Sequence, residues 1–440
     1  MVKLVVLGGC LLASPDSSLH PGWGIWIEDN RIAGLGPNRD LLDKHPDADV
    51  INAEHLLLMP GLINAHMHAY GLLAHGIPVH DIPTGFHEFL ADFWWPRVEN
   101  RLDKAMIEAA MSLACYRMIQ SGITTFCDVL EAPNAPEGIL DIEANAVKRA
   151  GLRAILMTEA SERIDTACGK RLLAENTRFI NEHRQDEHIG GMLCIHTSFT
   201  CSESFVVHAR RMMEDLDCDL HLHLSESNYE PAACLEAHGV RPVMWYNERG
   251  LWSPSVLASQ AVAVDEQEIR LLAKRGVRVA HMPLSNCEVG GGVAPIPEMI
   301  DSGIRPSIGS DGYINNLFEV IRGAFLIHKG VQRNPLAMSA KTVLCMATTW
   351  GAEAVGLPQV GAITPGKYAD IIGIALDLDT PLTAENVLEQ VVLYRNPLDV
   401  KLTMVGGRIL MQDGEVLTLE AERIRRNARE QANRLWGGRQ

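Results

Sequence analysis

The stretch MPGLINAHMH, residues 59–68, sets the fold and points to a kind of site. An apolar run follows a Pro-Gly pair and ends on His66 and His68, which are separated by one residue. Alternate residues of a strand point to the same side, so both imidazoles are predicted to project together from a strand end. Two imidazoles held in this way are good metal ligands. Because a His-x-His pattern is short, two ordinary polar residues at a strand end are the competing interpretation.

Strand-like and helical segments alternate along the chain after this point. The strand candidates are residues 57–68, 123–130, 152–157, 191–199, 218–226, 255–264, 277–285 and 304–311. Helical segments lie between them; DEQEIRLLAKRG, for example, begins with acids and stops at Gly276,. Eight βα repeats predict an α/β fold with a (β/α)8 TIM barrel over residues 59–361, whose active site lies at the C-terminal ends of the strands.

Both ends of the chain have a different pattern, with short strands joined by turns. GWGIWIEDNRIAGLG near the start predicts a hairpin, and VKLTMVGGRILMQDGEVL near the end has the same character,. We therefore predict a small composite β-sandwich domain from residues 1–58 and 362–440, with a C-terminal helix in the second part. The first apolar run is short and continues into the hairpin, so a strand is expected there rather than a signal peptide.

The composition is that of a soluble globular enzyme, and its cysteine usage favours the cytoplasm,. The net charge is −16, and it is spread along the chain, which argues against nucleic acid as a partner. No apolar stretch approaches the roughly 20 residues that cross a bilayer, so no membrane partner is expected. The ten cysteines contain no C-x-x-C pair, which favours free thiols in a reducing compartment,.

Two further strand ends carry residues that suit a metal centre. The fifth candidate closes with HLHLSES, which contains His221, His223 and Glu226, and the eighth closes at Asp311. A His-x-His pair, a later histidine and an aspartate, each at the C-terminal end of a barrel strand, rarely occur in this order by chance. These residues therefore favour a metal site over isolated polar side chains.

With these motifs the sequence resembles the amidohydrolase superfamily, in particular the branch of cytosine and guanine deaminases, methylthioadenosine/adenosylhomocysteine deaminases and triazine hydrolases. The segments that carry the resemblance are PGLINAHMH, HTSFTCS, HLHLSES, HMPLSNCEVGGGVAPIPEM, GSDGYINN and GAITPGKYADIIGI. They are spread over nearly the whole chain.

The resemblance implies that His66, His68, His223 and Asp311 bind one divalent metal ion, zinc or alternatively iron. Such an ion brings the pKa of a bound water down towards roughly 7 and so supplies a nucleophile. Asp311 would orient this water and take up its proton, and Glu226 would deliver a proton to a ring nitrogen. The exocyclic amine then leaves as ammonia.

Other side chains are expected to contact the substrate or to pack. The resemblance implies a substrate contact for His196. Trp94 and Trp95 are predicted to form a lid that stacks on a planar heterocycle, although an aromatic cluster of this kind is also typical of a core. His221 and His281 are interpreted as packing residues.

Gln260 stands where the family has a histidine at the end of the sixth strand. Glutamine donates a hydrogen bond to a water but cannot exchange a proton near neutral pH. A single metal ion is therefore expected, with Gln260 beside the water and the proton transfers left to Asp311 and Glu226.

We predict a metal-dependent hydrolytic deaminase that acts on a nitrogen heterocycle such as a purine, pterin or pyrimidine. The alternatives are a triazine-type hydrolase that displaces chloride or an alkylamine, a ring-opening cyclic amidase, and a catalytically silent metal-binding barrel. Glu226 favours deamination because an amine is a poor leaving group that needs a proton. The resemblance also implies a homo-oligomer, a dimer or larger.

Overall fold

The structure is a computed structural model that describes residues 3–79, 83–135, 137–312 and 316–437. The motif GSDGYINN thus lies partly outside the described residues. The strands, in chain order, are β1 Lys3–Leu12, β2 Leu19–Pro21, β3 Trp23–Glu28, β4 Arg31–Pro37, β5 Asp49–Pro60, β6 Leu62–Met67, β7 Ile123–Leu130, β8 Arg153–Thr158, β9 Ile189–Gly191, β10 Leu193–Ile195, β11 Leu220–Leu224, β12 Val256–Gln260, β13 Arg278–His281, β14 Ser307–Ile308, β15 Ile371–Ala375, β16 Val400–Val405, β17 Arg408–Gln412 and β18 Glu415–Val416.

Helices connect these strands. In chain order they are α1 Asn38–Lys44, α2 Phe86–Glu88, α3 Trp95–Arg97, α4 Lys104–Gln120, α5 Ile139–Ala150, α6 Thr166–His183, α7 Glu203–Leu216, α8 Tyr229–His238, α9 Pro242–Glu248, α10 Glu266–Arg275, α11 Pro283–Glu288, α12 Ile296–Asp301, α13 Leu317–Gln332, α14 Ala340–Met346, α15 Thr349–Ala354, α16 Val387–Tyr394 and α17 Ala421–Leu435. Shorter 3₁₀ or π segments are Ala69–Ala74, Phe89–Trp94, Glu99–Arg101 and Pro397–Asp399.

One mixed sheet takes its strands from both ends of the chain. Its order is β18-β17-β16-β15-β5-β1-β3-β4, with β2 paired to β1. β15 runs antiparallel to β5 and places Ile371 opposite Pro60. The hairpin predicted near the start is confirmed as β3 and β4. The two ends thus share a sheet, while the sandwich and the domain boundaries stay predictions.

The strands between these ends are all paired in parallel. They form a five-stranded sheet, β10 to β14, and a four-stranded sheet, β6 to β9. Isolated parallel bridges join Met67 to Asp311 and Ala160 to Ile195, at the two edges where the sheets meet. The strands are apolar and almost entirely buried, as expected when helices cover a parallel sheet,.

The strand predicted over residues 57–68 is two strands in the structure. β5 ends at Pro60 and β6 begins at Leu62. Between them, a Cβ atom on Gly61 would lie 2.1 Å from Thr124 Oγ1, so this close approach requires glycine,. The prediction therefore merged a strand of the mixed sheet with the first parallel strand.

Several parallel strands also end earlier than predicted. The backbone turns into the left-handed region at Ser225, Gln260, Ala261 and Asp311, with φ of 47°, 71°, 48° and 59°,. These turns stop β11 at Leu224 and β12 at Gln260. Four non-glycine residues with positive φ at strand ends mark one side of the sheets as strained, which is common at functional sites.

The predicted C-terminal helix is confirmed as α17, which packs on α4. Within the described residues, no helix has the length and apolar character needed to cross a membrane.

Candidate active site

Four predicted metal ligands come together on the side of the sheets where these strained turns lie. His66 Nε2 is 3.8 Å from Asp311 Oδ2, and His68 Nε2 is 3.7 Å from Asp311 Oδ1. The ligand atoms of His66, His68 and His223 all lie within 4.8 Å of one another. Strand order explains the cluster, because Met67 at the end of β6 forms a bridge with Asp311, which lies beyond the end of β14.

The hydrogen bonding of these residues fits a metal ion. His66 is fully buried, and within the described part of the chain neither of its ring nitrogens has a hydrogen-bond partner. A buried polar group without a partner is costly, and a metal ion removes that cost. His68 Nδ1 lies 2.8 Å from the carbonyl oxygen of Val129 and must donate to it, so its Nε2 keeps a lone pair that faces Asp311,.

Burial favours the neutral form of His66 and His223, which is the form that binds metal,. Burial lowers the pKa of His66 well below its usual value, and the neighbouring His68 and His223 lower it further. Burial likewise lowers the pKa of His223 to about 4. The pKa of His68 is raised instead, because the charges of Glu131 and Asp311 outweigh the effect of burial. Three imidazoles and a carboxylate form a donor set suited to zinc.

Glu159 holds His223 in place and was missed by the sequence analysis. His223 Nδ1 lies 2.6 Å from Glu159 Oε1. The carboxylate can only accept, so Nδ1 donates and Nε2 is left as a ligand atom. A signal was present, since Glu159 directly follows the buried strand β8, but no spacing linked it to His223.

Glu131 was missed for the same reason. It directly follows β7, and its carboxylate accepts a hydrogen bond from the Tyr70 hydroxyl. Glu131 Oε2 also lies 4.0 Å from His68 Nδ1. The rule that selected the other strand ends would have selected this residue too.

Gln260 contacts the aspartate of the cluster. Its Nε2 donates to Asp311 Oδ2 at 2.6 Å. Its Oε1 is buried and has no hydrogen-bond partner among the described residues. The side chain therefore orients Asp311 and offers a free acceptor next to it.

Glu226 lines the same cavity as His68, His223 and Asp311. Burial raises the pKa of Glu226 well above its usual value, and the nearby charges of Asp311 and Glu131 raise it further,. A raised pKa favours the protonated carboxyl group, which is the form that donates a proton.

The cavity has a volume of about 370 Å³, suitable for a small ligand,. One wall is apolar and largely aromatic; it consists of Ile77, Val79, Phe86, Phe89, Leu90, Phe93 and Trp94. The opposite side carries the strand-end acids and histidines.

The predicted substrate contacts fall in different places. His196 lines the cavity, and its Nδ1 lies 2.7 Å from Thr200 Oγ1. Trp94 also lines the cavity and donates from Nε1 to the Tyr70 hydroxyl at 3.4 Å. Trp95 is absent from the described lining. The Arg163 guanidinium instead lies over the Trp95 ring, 5.1 Å from the ring centroid.

The two histidines interpreted as packing residues are fully buried. The ring of His221 lies 4.9 Å from that of His66, deeper in the sheet than the cavity lining. His281 contacts His328 through their Nε2 atoms at 3.1 Å.

The fold and the cluster define a hydrolase class: residues 57–410 match the model of the amidohydrolase family, and the chain belongs to that family. A 5-methylthioadenosine/S-adenosylhomocysteine deaminase of Thermodesulfovibrio yellowstonii is 30% identical over 398 residues, 88% of each chain. A 5'-deoxyadenosine deaminase of Methanothermobacter thermautotrophicus is 33% identical over 420 residues, 94% of this chain and 95% of that one.

A solved structure has the same fold. The crystal structure of an adenosine deaminase from Xanthomonas campestris with bound zinc has a TM-score of 0.91 at 24% identity. The match covers 99% of this chain and 98% of that one. The chain therefore has the amidohydrolase fold, of mixed α/β content.

Proposed function

We propose that this chain is a metal-dependent hydrolytic deaminase that removes an exocyclic amine from a nitrogen heterocycle and releases ammonia. One observation carries the proposal: Glu226, a carboxyl group whose pKa is raised by burial, lines the same cavity as His68, His223 and Asp311. Hydrolysis of a C–N bond needs both an activated water and a proton for the amine. The relatives named as deaminases support the same reaction class.

His66, His68, His223 and Asp311 would hold one divalent ion, which we propose to be zinc. When bound there, the ion lowers the pKa of a coordinated water towards roughly 7 and so supplies the nucleophile. The donor set supports zinc, and the related adenosine deaminase structure contains zinc.

The side chains around the cluster divide the proton transfers between them. Asp311 orients the attacking water and accepts its proton. Gln260 fixes Asp311 by its hydrogen bond and cannot take a proton itself,. Glu226 protonates a ring nitrogen of the heterocycle. Asp311 passes the proton taken from the water to the amine, which departs as ammonia, and the proton of the new hydroxyl group returns to Glu226.

We propose that the substrate is an adenine nucleoside without a bulky charged group. Trp94 and the phenylalanines of the apolar wall would stack on the base and cover its substituent,. His196 would donate or accept a hydrogen bond at the base or the sugar. The names of the two relatives support an adenosine derivative as the starting point for assays.

The finer features of the fold belong to the proposal as well. The two bridges between the parallel sheets support closure into a (β/α)8 barrel over residues 59–361. The shared sheet supports a composite domain from residues 1–58 and 362–440, with a sandwich as its predicted form. Ten free cysteines are consistent with the cytoplasm. Self-association stays a prediction.

Ammonia release tests the function. The purified protein is depleted of metal with a chelator, reloaded with zinc or with iron, and assayed on 5'-deoxyadenosine, 5'-methylthioadenosine, guanine, a pterin and a chlorotriazine. We expect ammonia from an adenine nucleoside, a product mass in which an amine is replaced by oxygen, and no turnover without metal. Loss of chloride alone would support a triazine-type hydrolase, and metal-loaded protein inert on every compound would support a silent barrel.

A further inference from the structure

A second group of ligand atoms lies beside the proposed zinc ligands. Carboxylate oxygens of Glu131 and Glu159 and ring nitrogens of His196 and His223 all lie within 4.8 Å of one another. The first three residues follow the successive parallel strands β7, β8 and β10, so strand order brings them to one place. None of these three belongs to the first set of ligands.

His196 directs an unbonded nitrogen into this group. Thr200 Oγ1 lies 3.3 Å from the carbonyl oxygen of Thr197 and 2.7 Å from His196 Nδ1. When the hydroxyl donates to the carbonyl, it accepts from Nδ1, and this is the tautomer that suits a metal ligand. The other nitrogen, Nε2, therefore carries a lone pair, and it lies 3.8 Å from Glu159 Oε2. The His196 side chain is only 7% exposed. A lone pair and a carboxylate oxygen thus face each other with no donor between them.

The two acids pose the same problem. Glu159 uses Oε1 to accept from His223, and its other oxygen, Oε2, faces His196 Nε2. The carboxyl group of Glu131 lies within hydrogen-bonding reach of Glu159, although both are natural acceptors. No lysine or arginine lines the described part of this cavity, and the nearby Arg163 is already paired with Glu99 at 2.5 Å. A shared proton or a bound cation would relieve the contact between these acceptors.

We propose that Glu131, Glu159 and His196 bind a second divalent metal ion of the zinc, manganese or iron(II) class. A proton shared by the two acids would satisfy them but would leave His196 Nε2 without a partner. A divalent ion accepts electron pairs from all three, and two carboxylates with one imidazole suit these metals. Glu159 would then link the two ions through His223, as carboxylates next to metal-bound histidines commonly do.

The proposed reaction needs one ion, and an ion at this second site would take the place of the substrate contact proposed for His196. The site also explains why Gln260 does not decide the number of metals. The family resemblance implies that the histidine at the position of Gln260 binds a second metal in two-metal members, whereas the site proposed here uses the residues that follow β7, β8 and β10.

Metal counting tests the proposal. Full-length protein is depleted with a chelator, dialysed against excess zinc or manganese, and analysed by mass spectrometry of the bound metal. We expect two ions per chain in the unaltered protein and one in E131Q and in H196N. Y70F is the matched control, because it removes the hydroxyl that binds Glu131 but keeps every ligand; it should retain two ions.

A crystal of the manganese-loaded protein provides a second measurement that does not depend on variants. An anomalous peak about 2.0–2.2 Å from oxygens of Glu131 and Glu159 and from His196 Nε2 would support the site. One ion per chain at saturation and no peak there would overturn it, leaving the shared proton as the explanation. Ammonia release by protein with one ion would leave the proposed function intact, so the two proposals fail separately.

Discussion

Two buried polar clusters of this molecule differ in how their groups are satisfied. At the first, Arg153 of β8 donates from Nε to Asp370 Oδ2 at 3.0 Å and from Nη1 to the carbonyl oxygen of Glu187. Asp370 Oδ1 accepts from the backbone N–H of Gly406 at 2.8 Å. The Arg153 guanidinium also stacks on the ring of Tyr368 at 4.2 Å.

The second cluster, at the ends of the parallel strands, is equally buried but incomplete. His66 has two ring nitrogens without partners, and Gln260 has a free Oε1. The backbone at Gln260 and Asp311 is in the left-handed region. Buried groups that are fully paired hold elements together, whereas unpaired groups and strain persist where a ligand completes the site. We therefore assign the Arg153–Asp370 cluster to stability and the strand-end cluster to chemistry.

Replacing Glu226 with glutamine should have the largest effect on activity while leaving stability nearly unchanged. Glu226→Gln keeps the shape of the side chain but removes the proton, so we expect kcat to fall by about 10²–10⁴-fold. Stability to urea should stay close to that of the unaltered protein. The measurement is steady-state ammonia release together with urea unfolding.

The pH profile sharpens this prediction. Burial raises the pKa of Glu226, so the carboxyl stays protonated to higher pH than an exposed glutamate. Activity that depends on its proton is present below that pKa and is lost as the pH rises through it. The alkaline limb should therefore disappear in Glu226→Gln and remain in the control Glu288→Gln, which alters another acid of the same cavity. An unchanged limb in both variants would remove Glu226 from the proton transfer.

A change in the Arg153–Asp370 cluster should lower stability and leave activity unchanged. Asp370→Asn leaves the Arg153 charge buried without its counter-ion, and we expect a loss of about 3–5 kcal/mol in the free energy of unfolding. Activity per folded molecule should be unchanged. Asp16→Asn is the control: it breaks an exposed pair with Lys341 and should cost less than about 1 kcal/mol,. Equal destabilisation by the two variants would contradict the assignment of the Arg153–Asp370 cluster to stability.

The sequence predicts part of the strand-end cluster because some of the signals for it are local. The two-residue periodicity of a strand sends His66 and His68 in one direction, and the alternation of strands and helices brings their strand ends to one side. The three-residue offset from His223 to Glu226 lies within a single strand end. None of these inferences needs a contact between distant segments.

The missing part depends on distant contacts and on local backbone detail. Glu159 and His223 are 64 residues apart, and their hydrogen bond follows from the positions of β8 and β11. Trp94 is the last residue of the π segment and lines the cavity, whereas Trp95 begins α3 and is absent from the described lining. Arg153 and Asp370 are 217 residues apart, so no motif connects them.

The smallest predicted effect concerns Gln260, which lies in the strand-end cluster but takes no proton. Gln260→Ala keeps a non-glycine residue at φ of 71° and removes only the amide that donates to Asp311 at 2.6 Å. A hydrogen bond to a charged group is worth about 1.5–3 kcal/mol, so we expect kcat to fall about 10- to 100-fold with metal content unchanged.

Gln260→Glu should lower activity further, because it places a second acid of the same size against Asp311. Steady-state kinetics and metal analysis on both variants give the comparison. If both variants retained full activity, the Gln260 amide would have only a structural role. The strand-end cluster would then differ from the Arg153–Asp370 cluster only in its histidines. A graded loss, in which Gln260→Ala is more active than Gln260→Glu, would instead show that Gln260 acts by orienting Asp311. It would not then be a substitute for the proton transfer of a histidine.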